Sequence, residues 1–163
     1  MELQPVTPED VLLYQRIHCD PEMMKHLGGP FPKEEAPQIL ERGLAHVKNG
    51  GAWLFKVMAH RDFPPAGTVC IWQSEHQGEP IHEIGWTILP SYQGRGLASQ
   101  AVRAVLDQAQ TQERWGPIDA FPTTSNAPSN AICKKMGFTL LEECDLDYSG
   151  RALRCNHWKL NRK

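Results

Sequence analysis

Hydrophobic positions along the chain recur with two different periods, and each change of period marks a new element. Apolar residues at helical spacing predict helices at about 8–18, 33–48, 97–109 and 127–136. Short runs rich in aliphatic and aromatic residues predict strands at 2–6, 53–59, 68–73, 82–89, 118–121, 139–146 and 151–160. The segments 60–67 and 74–80 are short and rich in Pro, Gly and charge, so the strands that they join form an antiparallel meander.

A loop with two glycines joins the predicted strand 82–89 directly to a helix. It consists of Gln93, Gly94, Arg95, Gly96, Leu97 and Ala98. The glycines let backbone N–H groups approach a ligand without interfering Cβ atoms, and the first turn of the helix attracts anions. This loop is predicted to bind phosphate. It contains no GxxxxGK[ST] string, and Ser99 stands where GxGxxG would need its third glycine, so a nucleotide-binding interpretation is weaker.

The composition is that of one ordinary globular domain, which we expect to span residues 1–163. The chain is 40% hydrophobic and 22% charged, with a net charge of −2 and no long basic run, which argues against a nucleic-acid partner. No apolar run approaches the length of a membrane span and no signal-peptide pattern opens the chain. We therefore expect a cytoplasmic protein with no membrane partner.

Cysteine and histidine usage favours neither disulfides nor a metal. The five cysteines include no CxxC pair, which is simplest to interpret as free thiols in a reducing compartment. The seven histidines are scattered, and pairs such as His76 with His82 lack the spacing of metal ligands on a helix or ribbon. No metal is expected from the sequence.

A second motif runs from residue 124 to residue 138. Asn126 is a good N-cap for the predicted helix, and Gly137 can take the left-handed conformation that ends it. Asn126, Ser129 and Cys133 are spaced i, i+3, i+7 and are predicted to share one polar face. For Cys133 taken alone, a small buried side chain is the favoured interpretation. Met136 is assigned to the opposite, core-facing side.

Together the two motifs resemble those of the GNAT superfamily of N-acetyltransferases. The loop that starts at Gln93 matches the pattern Q/R-x-x-G-x-G/A, and the second motif is similar to the family's N-x-x-S/A helix that ends in G-F. The pattern is closest to the branch that acetylates ribosomal-protein N-termini, which has a serine at the place of Ser129. The resemblance implies an α/β (α+β) fold with a mixed, mostly antiparallel sheet of about six to seven strands and about four flanking helices.

The resemblance also implies how acetyl-CoA, the co-substrate, is held. Its pyrophosphate would meet the loop Gln93, Gly94, Arg95, Gly96, Leu97 and Ala98, with Asn126 nearby. The backbone at Ile88 and Leu89 would bind the pantetheine arm and supply an N–H group to the oxyanion.

Transfer of an acetyl group to an amine needs a base and an acid. Glu83 is the predicted base, because burial of a strand carboxylate can bring its pKa near the working pH. Many GNAT members place a tyrosine four residues before the G-F glycine, and this chain has Cys133 there. Ser129 is therefore the first candidate for the acid and Cys133 the second. Tyr92 and Tyr148 are set aside, because a loop and a turn are predicted for them.

The acceptor is predicted to be a small-molecule amine or a peptide N-terminus, reached through an apolar segment at residues 23–31. The chain would act as a monomer or homodimer. Two other classes stay open: a non-catalytic acyl-CoA-binding or interaction module on the same fold, and a nucleotide-binding domain.

Overall fold

A computed structural model describes residues 1–161 and contains one seven-stranded sheet. The strands are β1 (Glu2–Pro5), β2 (Ala52–Met58), β3 (Gly67–His76), β4 (Glu79–Ile88), β5 (Ile118–Ala120), β6 (Thr139–Tyr148) and β7 (Arg151–Leu160). The helices are α1 (Val11–His18), α2 (Ala36–Lys48), α3 (Leu97–Thr111) and α4 (Ala127–Lys135), with short 3-10 turns at Pro8–Asp10, Lys33–Glu35 and Pro90–Tyr92. None of the helices within the described residues is long and apolar enough to cross a membrane.

The strand order is β1-β2-β3-β4-β5-β7-β6. Every neighbouring pair is antiparallel except β4 and β5, which run parallel. The predicted mixed, mostly antiparallel sheet with four flanking helices is confirmed. The predicted meander of β2, β3 and β4 is confirmed as well.

Successive side chains of β2 point to opposite faces of the sheet. Trp53 and Phe55 pack against the main core, which includes the buried side of α3, whereas Leu54 packs with the smaller core of α1 and α2. Lys56 lies on the same side as Leu54 and forms a salt bridge of 2.9 Å with Asp10, directly before α1. We call these two sides the α3 face and the α1 face.

The connection between β3 and β4 differs from its prediction. Residues 74–80 were predicted as a loop, but both strands continue and only Gln77 and Gly78, with φ of 52° and 80°, form the turn. Pro80 pairs with Glu75 at a position whose N–H faces away from β3, so its missing donor removes no ladder bond. The long hairpin brings His76 into contact with Phe121 and His157.

A single side chain, Asn130, anchors α4 to the sheet. Its Nδ2 atom donates to the carbonyl oxygens of Thr123 at 2.9 Å and Asn126 at 2.8 Å. Its Oδ1 atom accepts from Nδ2 of Asn156 and from Nε1 of Trp158, both at 2.8 Å. Two of these four hydrogen bonds join α4 to β7, and the other two hold the chain just before the helix.

We predict that Asn130→Ala destabilises the protein, because it breaks these four hydrogen bonds and leaves the indole N–H of the buried Trp158 without its partner. The free energy of unfolding, measured by urea denaturation, should fall by about 2–4 kcal/mol. The control is Asn161→Ala, since Asn161 is exposed beyond β7 and its loss should change stability by less than about 0.5 kcal/mol. Equal effects of the two variants would contradict the anchoring role.

Candidate active site

The strands β4 and β5 meet at one point and then leave a crevice between them. Their single registered pair joins Glu83 to Asp119. β4 continues from there to Ile88, whereas β5 ends at Ala120. Within residues 1–161 no strand pairs with this last part of β4 on the β5 side. We call this crevice the fork, with Glu83 at its closed end.

The backbone of β4 presents free polar groups to the fork. The N–H of Leu89 donates to the carbonyl of Ala66 at 2.8 Å, which makes these two residues a hydrogen-bonded pair. Such pairs alternate with pairs whose N–H and C=O groups face outward, so those of Trp86 and Ile88 face the fork. Gln93 confirms this direction, because its Nε2 atom donates to the Ile88 carbonyl at 2.8 Å.

This pattern distinguishes Ile88 from Leu89, the two predicted backbone donors to the oxyanion. The Leu89 N–H is already used by the sheet, whereas the Ile88 N–H faces the fork. Trp86, which the sequence analysis did not name, offers its N–H and C=O to the same crevice. The strand period of two could have revealed Trp86, since it lies two residues before Ile88.

The glycine loop lies where β4 ends. Gly94 and Gly96 both have φ of 74°, and Gly96 is the N-cap of α3. The first helical hydrogen bond runs from the N–H of Gln100 to the Gly96 carbonyl at 3.0 Å, and no side chain caps this end. The N–H groups of Leu97 and Ala98 are therefore free to bind an anion. Arg95 is exposed beside them, with its guanidinium 5.9 Å from the Tyr92 ring.

Glu83 points to the α1 face of the sheet, because its neighbour Ile84 belongs to the main core. Burial raises the pKa of Glu83 to about 7. A hydrogen bond with the Ser74 side chain opposes this rise in pKa, and the negative charge of Asp119 adds to it. The carboxyl group at the closed end of the fork thus titrates near neutral pH, as expected of a general base.

Tyr148 lies nearer to this carboxyl group than the sequence analysis expected. It was placed in a turn, but it is the last residue of β6, and the turn consists of Ser149 and Gly150. Burial raises the pKa of Tyr148, and the charge of Glu83 contributes to the rise. Arg151 and Arg42 act in the opposite direction. Tyr148 was missed because a turn residue seldom reaches a buried site.

One side chain holds the segment 23–31, which we call the lid, against the β6–β7 hairpin. Nη1 of Arg151 donates to the carbonyls of Leu27 at 3.0 Å and Gly29 at 2.6 Å. The same guanidinium stacks over the Phe31 ring, 4.0 Å from its centroid. Phe31 in turn contacts Tyr148, with 6.2 Å between ring centroids. The lid is therefore closed over the region of Tyr148.

The lid has a second anchor and its own small core. Nδ1 of His26 lies 3.1 Å from Oγ of Ser125, in the loop before α4. Met24 is only 1% exposed and supports the lid from within, whereas Met23 and Leu27 keep part of their surface exposed. Met23, Leu27 and Phe31 therefore supply partly exposed apolar surface to the lid.

The three candidate residues of α4 differ in their exposure. Asn126 is the N-cap, as predicted, and its Oδ1 accepts from the Ser129 N–H at 3.2 Å. Ser129 is partly exposed, but Cys133 is fully buried in the main core beside Met136. Cys133 is thus confirmed as a small buried side chain, and it does not share the polar face of Asn126 and Ser129. Burial raises the pKa of the Cys133 thiol to about 12.

The amino-acid sequence is similar to those of a known protein family. Residues 1–139 match the model of the acetyltransferase (GNAT) domain. An uncharacterised N-acetyltransferase of Bacillus subtilis, YnaD, is 29% identical over 119 residues, which are 72% of this chain and 66%, just under two thirds, of that protein.

Two solved structures have similar folds. RimL, a ribosomal-protein alpha-N-acetyltransferase in a disulfide-linked complex with coenzyme A, superposes with a TM-score of 0.81 at 19% identity, covering 98% of this chain and 92% of that chain. MccE, a microcin self-immunity acetyltransferase in complex with acetyl-CoA and AMP, gives a TM-score of 0.80 at 17% identity, covering 98% and 91%. The domain model matches residues 1–139, which are most of this chain. The chain therefore belongs to the GNAT family of acetyltransferases.

Proposed function

We propose that this protein transfers an acetyl group from acetyl-CoA to a primary amine by direct attack in a ternary complex. The observation that carries the proposal is the fork itself. It combines a carboxyl group with a pKa of about 7 at its closed end, a free backbone edge along β4 and an uncapped glycine loop at its mouth. The chain would work as one acetyltransferase domain, in the cytoplasm, as a monomer or homodimer.

The residues present fit acetyl-CoA. The outward N–H and C=O groups of Trp86 suit an amide of a pantetheine arm, because they would extend the sheet by hydrogen bonding. The free N–H groups of Leu97 and Ala98, with Arg95, suit a pyrophosphate. The Nδ2 atom of Asn126 is the part of that side chain not engaged in capping. When bound, the coenzyme supplies an acetyl thioester, which is activated toward amines.

Glu83 would accept a proton from the incoming ammonium group, directly or through a water molecule. A carboxylate with a pKa of about 7 is ionised in part of the population at neutral pH and is a stronger base than an ordinary glutamate. Asp119 helps to keep this pKa high.

The Ile88 N–H would donate to the developing oxyanion, since it faces the fork. Ser129 would give a proton to the departing sulfur. Cys133 is a weaker candidate, because it is fully buried and its thiol has a pKa of about 12. We assign Ser129 as the acid on these grounds.

The acceptor that fits best is a peptide N-terminus. The closed lid offers the apolar surface of Leu27 and Phe31, and two guanidinium groups, those of Arg42 and Arg151, lie within electrostatic reach of Tyr148. This charge disfavours polyamines and aminoglycosides, and tolerates a peptide with neutral or acidic residues. RimL, a similar fold, is named for acetylating a ribosomal-protein N-terminus. A small-molecule amine is the alternative acceptor.

A panel of acceptors tests the proposed function. Release of free coenzyme A thiol should be measured with short peptides, amino acids, polyamines and aminoglycosides. We expect turnover with peptides whose N-terminus is free, and none after that N-terminus is blocked. Tight binding of acetyl-CoA without thiol release from any amine would support the non-catalytic module instead.

The first prediction concerns the base. Glu83→Gln should lower kcat by roughly 10²-fold, while the affinity for acetyl-CoA stays nearly unchanged. Wild-type kcat/KM should fall as pH falls below about 7, because Glu83 then becomes protonated, and this acidic limb should be missing from the residual activity of the variant. An acidic limb that survives in the variant would show that another group titrates.

The same variant tests the raised pKa without reference to catalysis. A folded-state pKa above the unfolded value favours folding at low pH, and this contribution is lost as pH rises through about 7. Glu83→Gln should therefore be more stable than wild type at about pH 8.5, and the difference should vanish only at about pH 4, below the usual carboxyl pKa of 4.5. A constant difference in melting temperature across this range would refute the assignment.

The second prediction concerns the glycine loop and has a matched control. Gly94 and Gly50 have φ of 74° and 76°, and an added Cβ would meet no atom within 4 Å at either position. Alanine at either site should cost a similar stability of about 1 kcal/mol. Only Gly94→Ala should weaken acetyl-CoA binding, by at least roughly 10-fold in calorimetry, since its methyl group would meet the phosphates. Equal affinities in the two variants would remove the loop from the binding site.

The third prediction compares the two candidate acids. Ser129→Ala should lower kcat by roughly 10-fold or more while leaving the fold intact. Cys133→Ala should instead lower the free energy of unfolding by about 1 kcal/mol and leave kcat nearly unchanged, because it creates a small core cavity. The opposite result, with kcat lost in Cys133→Ala alone, would make the thiol the acid.

A further inference from the structure

We infer that His76, Glu142 and His157 form a binding site for a divalent transition-metal ion such as Zn²⁺, separate from the acetyl-transfer chemistry. Each of the three residues offers a ligand atom, and these atoms all lie within 4.8 Å of one another. Glu142 and His157 lie on the paired strands β6 and β7, and the long β3–β4 hairpin places His76 beside them. Two imidazoles and a carboxylate are a ligand set that Zn²⁺ commonly binds.

The first supporting observation is an imidazole nitrogen without a partner. The Nε2 atom of His76 is buried and makes no hydrogen bond among the described residues. Burying a polar atom in this way is unfavourable unless a partner satisfies it. The His76 ring packs against Phe121 and His157, with centroids 4.9 and 4.8 Å away. A phenyl ring would pack equally well, so packing alone does not account for an imidazole.

The second observation is the orientation of His157. Its Nε2 atom lies 2.6 Å from Oδ1 of the buried Asp119. This contact leaves Nδ1 as the nitrogen available to a metal, in the carboxylate–histidine–metal arrangement that orients ligands in known metal sites. Phe121 stacks on the same ring, 4.5 Å between centroids, and restricts its rotation.

Glu142 completes the set from the neighbouring strand. It is the direct register partner of His157, and its Oε1 accepts from Nε2 of Gln77 at 3.3 Å. That bond brings the β3–β4 turn to the carboxylate and leaves Oε2 for an ion.

The dimensions of the cluster are compatible with a bound ion. A point equidistant from three atoms 4.8 Å apart lies about 2.8 Å from each. Coordination at about 2.1 Å therefore needs side-chain shifts of less than about 1 Å. Glu142 is exposed and free to move, and a water molecule would fill the fourth position.

The surrounding charge also favours a cation. The groove beside the cluster, of about 580 Å³, is lined by Glu75, Glu143, Asp145 and Asp147 in addition to Glu142, with Arg154 as the basic residue among its lining. The ion would join the β3–β4 hairpin to β6 and β7. Sequence spacing alone does not reveal this site, because its ligands lie on three separate strands.

The test uses the full chain without an affinity tag, reduced, stripped with EDTA and desalted. Titration with Zn²⁺ in a calorimeter should give one tight site per chain. Co²⁺ in its place should give ligand-field bands of a nitrogen- and oxygen-ligated ion, without a thiolate charge-transfer band. His76→Phe keeps the ring packing and Glu142→Gln keeps the shape of the side chain, and each should weaken binding by at least roughly 10-fold.

The matched control is Glu143→Gln. Glu143 is the next residue of β6, is exposed and pairs with Arg154 at 3.3 Å, so its loss should change the affinity less than about 3-fold. Unchanged affinity in His76→Phe and Glu142→Gln, an equal loss in the control, a thiolate band, or no binding of Zn²⁺ at all would each overturn the site.

Discussion

The site depends on one structural constraint, the single registered pair between the parallel strands β4 and β5. Because Glu83 and Asp119 are the only pair in register between these strands among the described residues, the part of β4 after Glu83 has no partner on the β5 side. That part keeps outward backbone groups for a ligand, and Glu83 holds a carboxyl group where the crevice closes. If β4 and β5 were paired along their whole length, these backbone groups would be used within the sheet.

The same pairing places two carboxyl groups on adjacent strands, and their environments give them different tasks. Asp119 is bonded to His157 at 2.6 Å, whereas Glu83 sits in a partly buried position where burial dominates its pKa. Such a division between a paired acid and an unpaired one is how neighbouring carboxyl groups come to serve different chemistry. The site therefore rests on the arrangement of several strands and on no single motif.

The sequence predicted the local structure around the candidate site well, because its signals lie within a few residues. Leu97 as the start of α3 and Asn126 as the cap of α4 are short-range features, and both are confirmed. Cys133 faces the core, as the favoured interpretation of that residue alone predicts, although its spacing places it with Asn126 and Ser129. The prediction failed where residues meet across the sheet.

Other misses have the same origin. Pro80 and the nearby charges predicted a loop, although the register places the missing N–H of that proline on an unbonded side of the ladder. His76 was compared with His82, its neighbour in sequence, whereas the fold sets it beside His157. Contacts between distant strands leave no periodic signal in a single sequence. They can be predicted only once the order of the strands in the sheet is known.

The contact between Arg151 and the lid has a consequence for the order in which the protein is completed. The guanidinium and the Leu27 carbonyl that it binds are 124 residues apart, so the bond waits until the final hairpin has been synthesised. The segment from β4 to α3 leaves the ribosome well before that. A growing chain therefore has its glycine loop long before its lid is held closed. Damage to the last hairpin would then release the lid while leaving the loop and α3 in place.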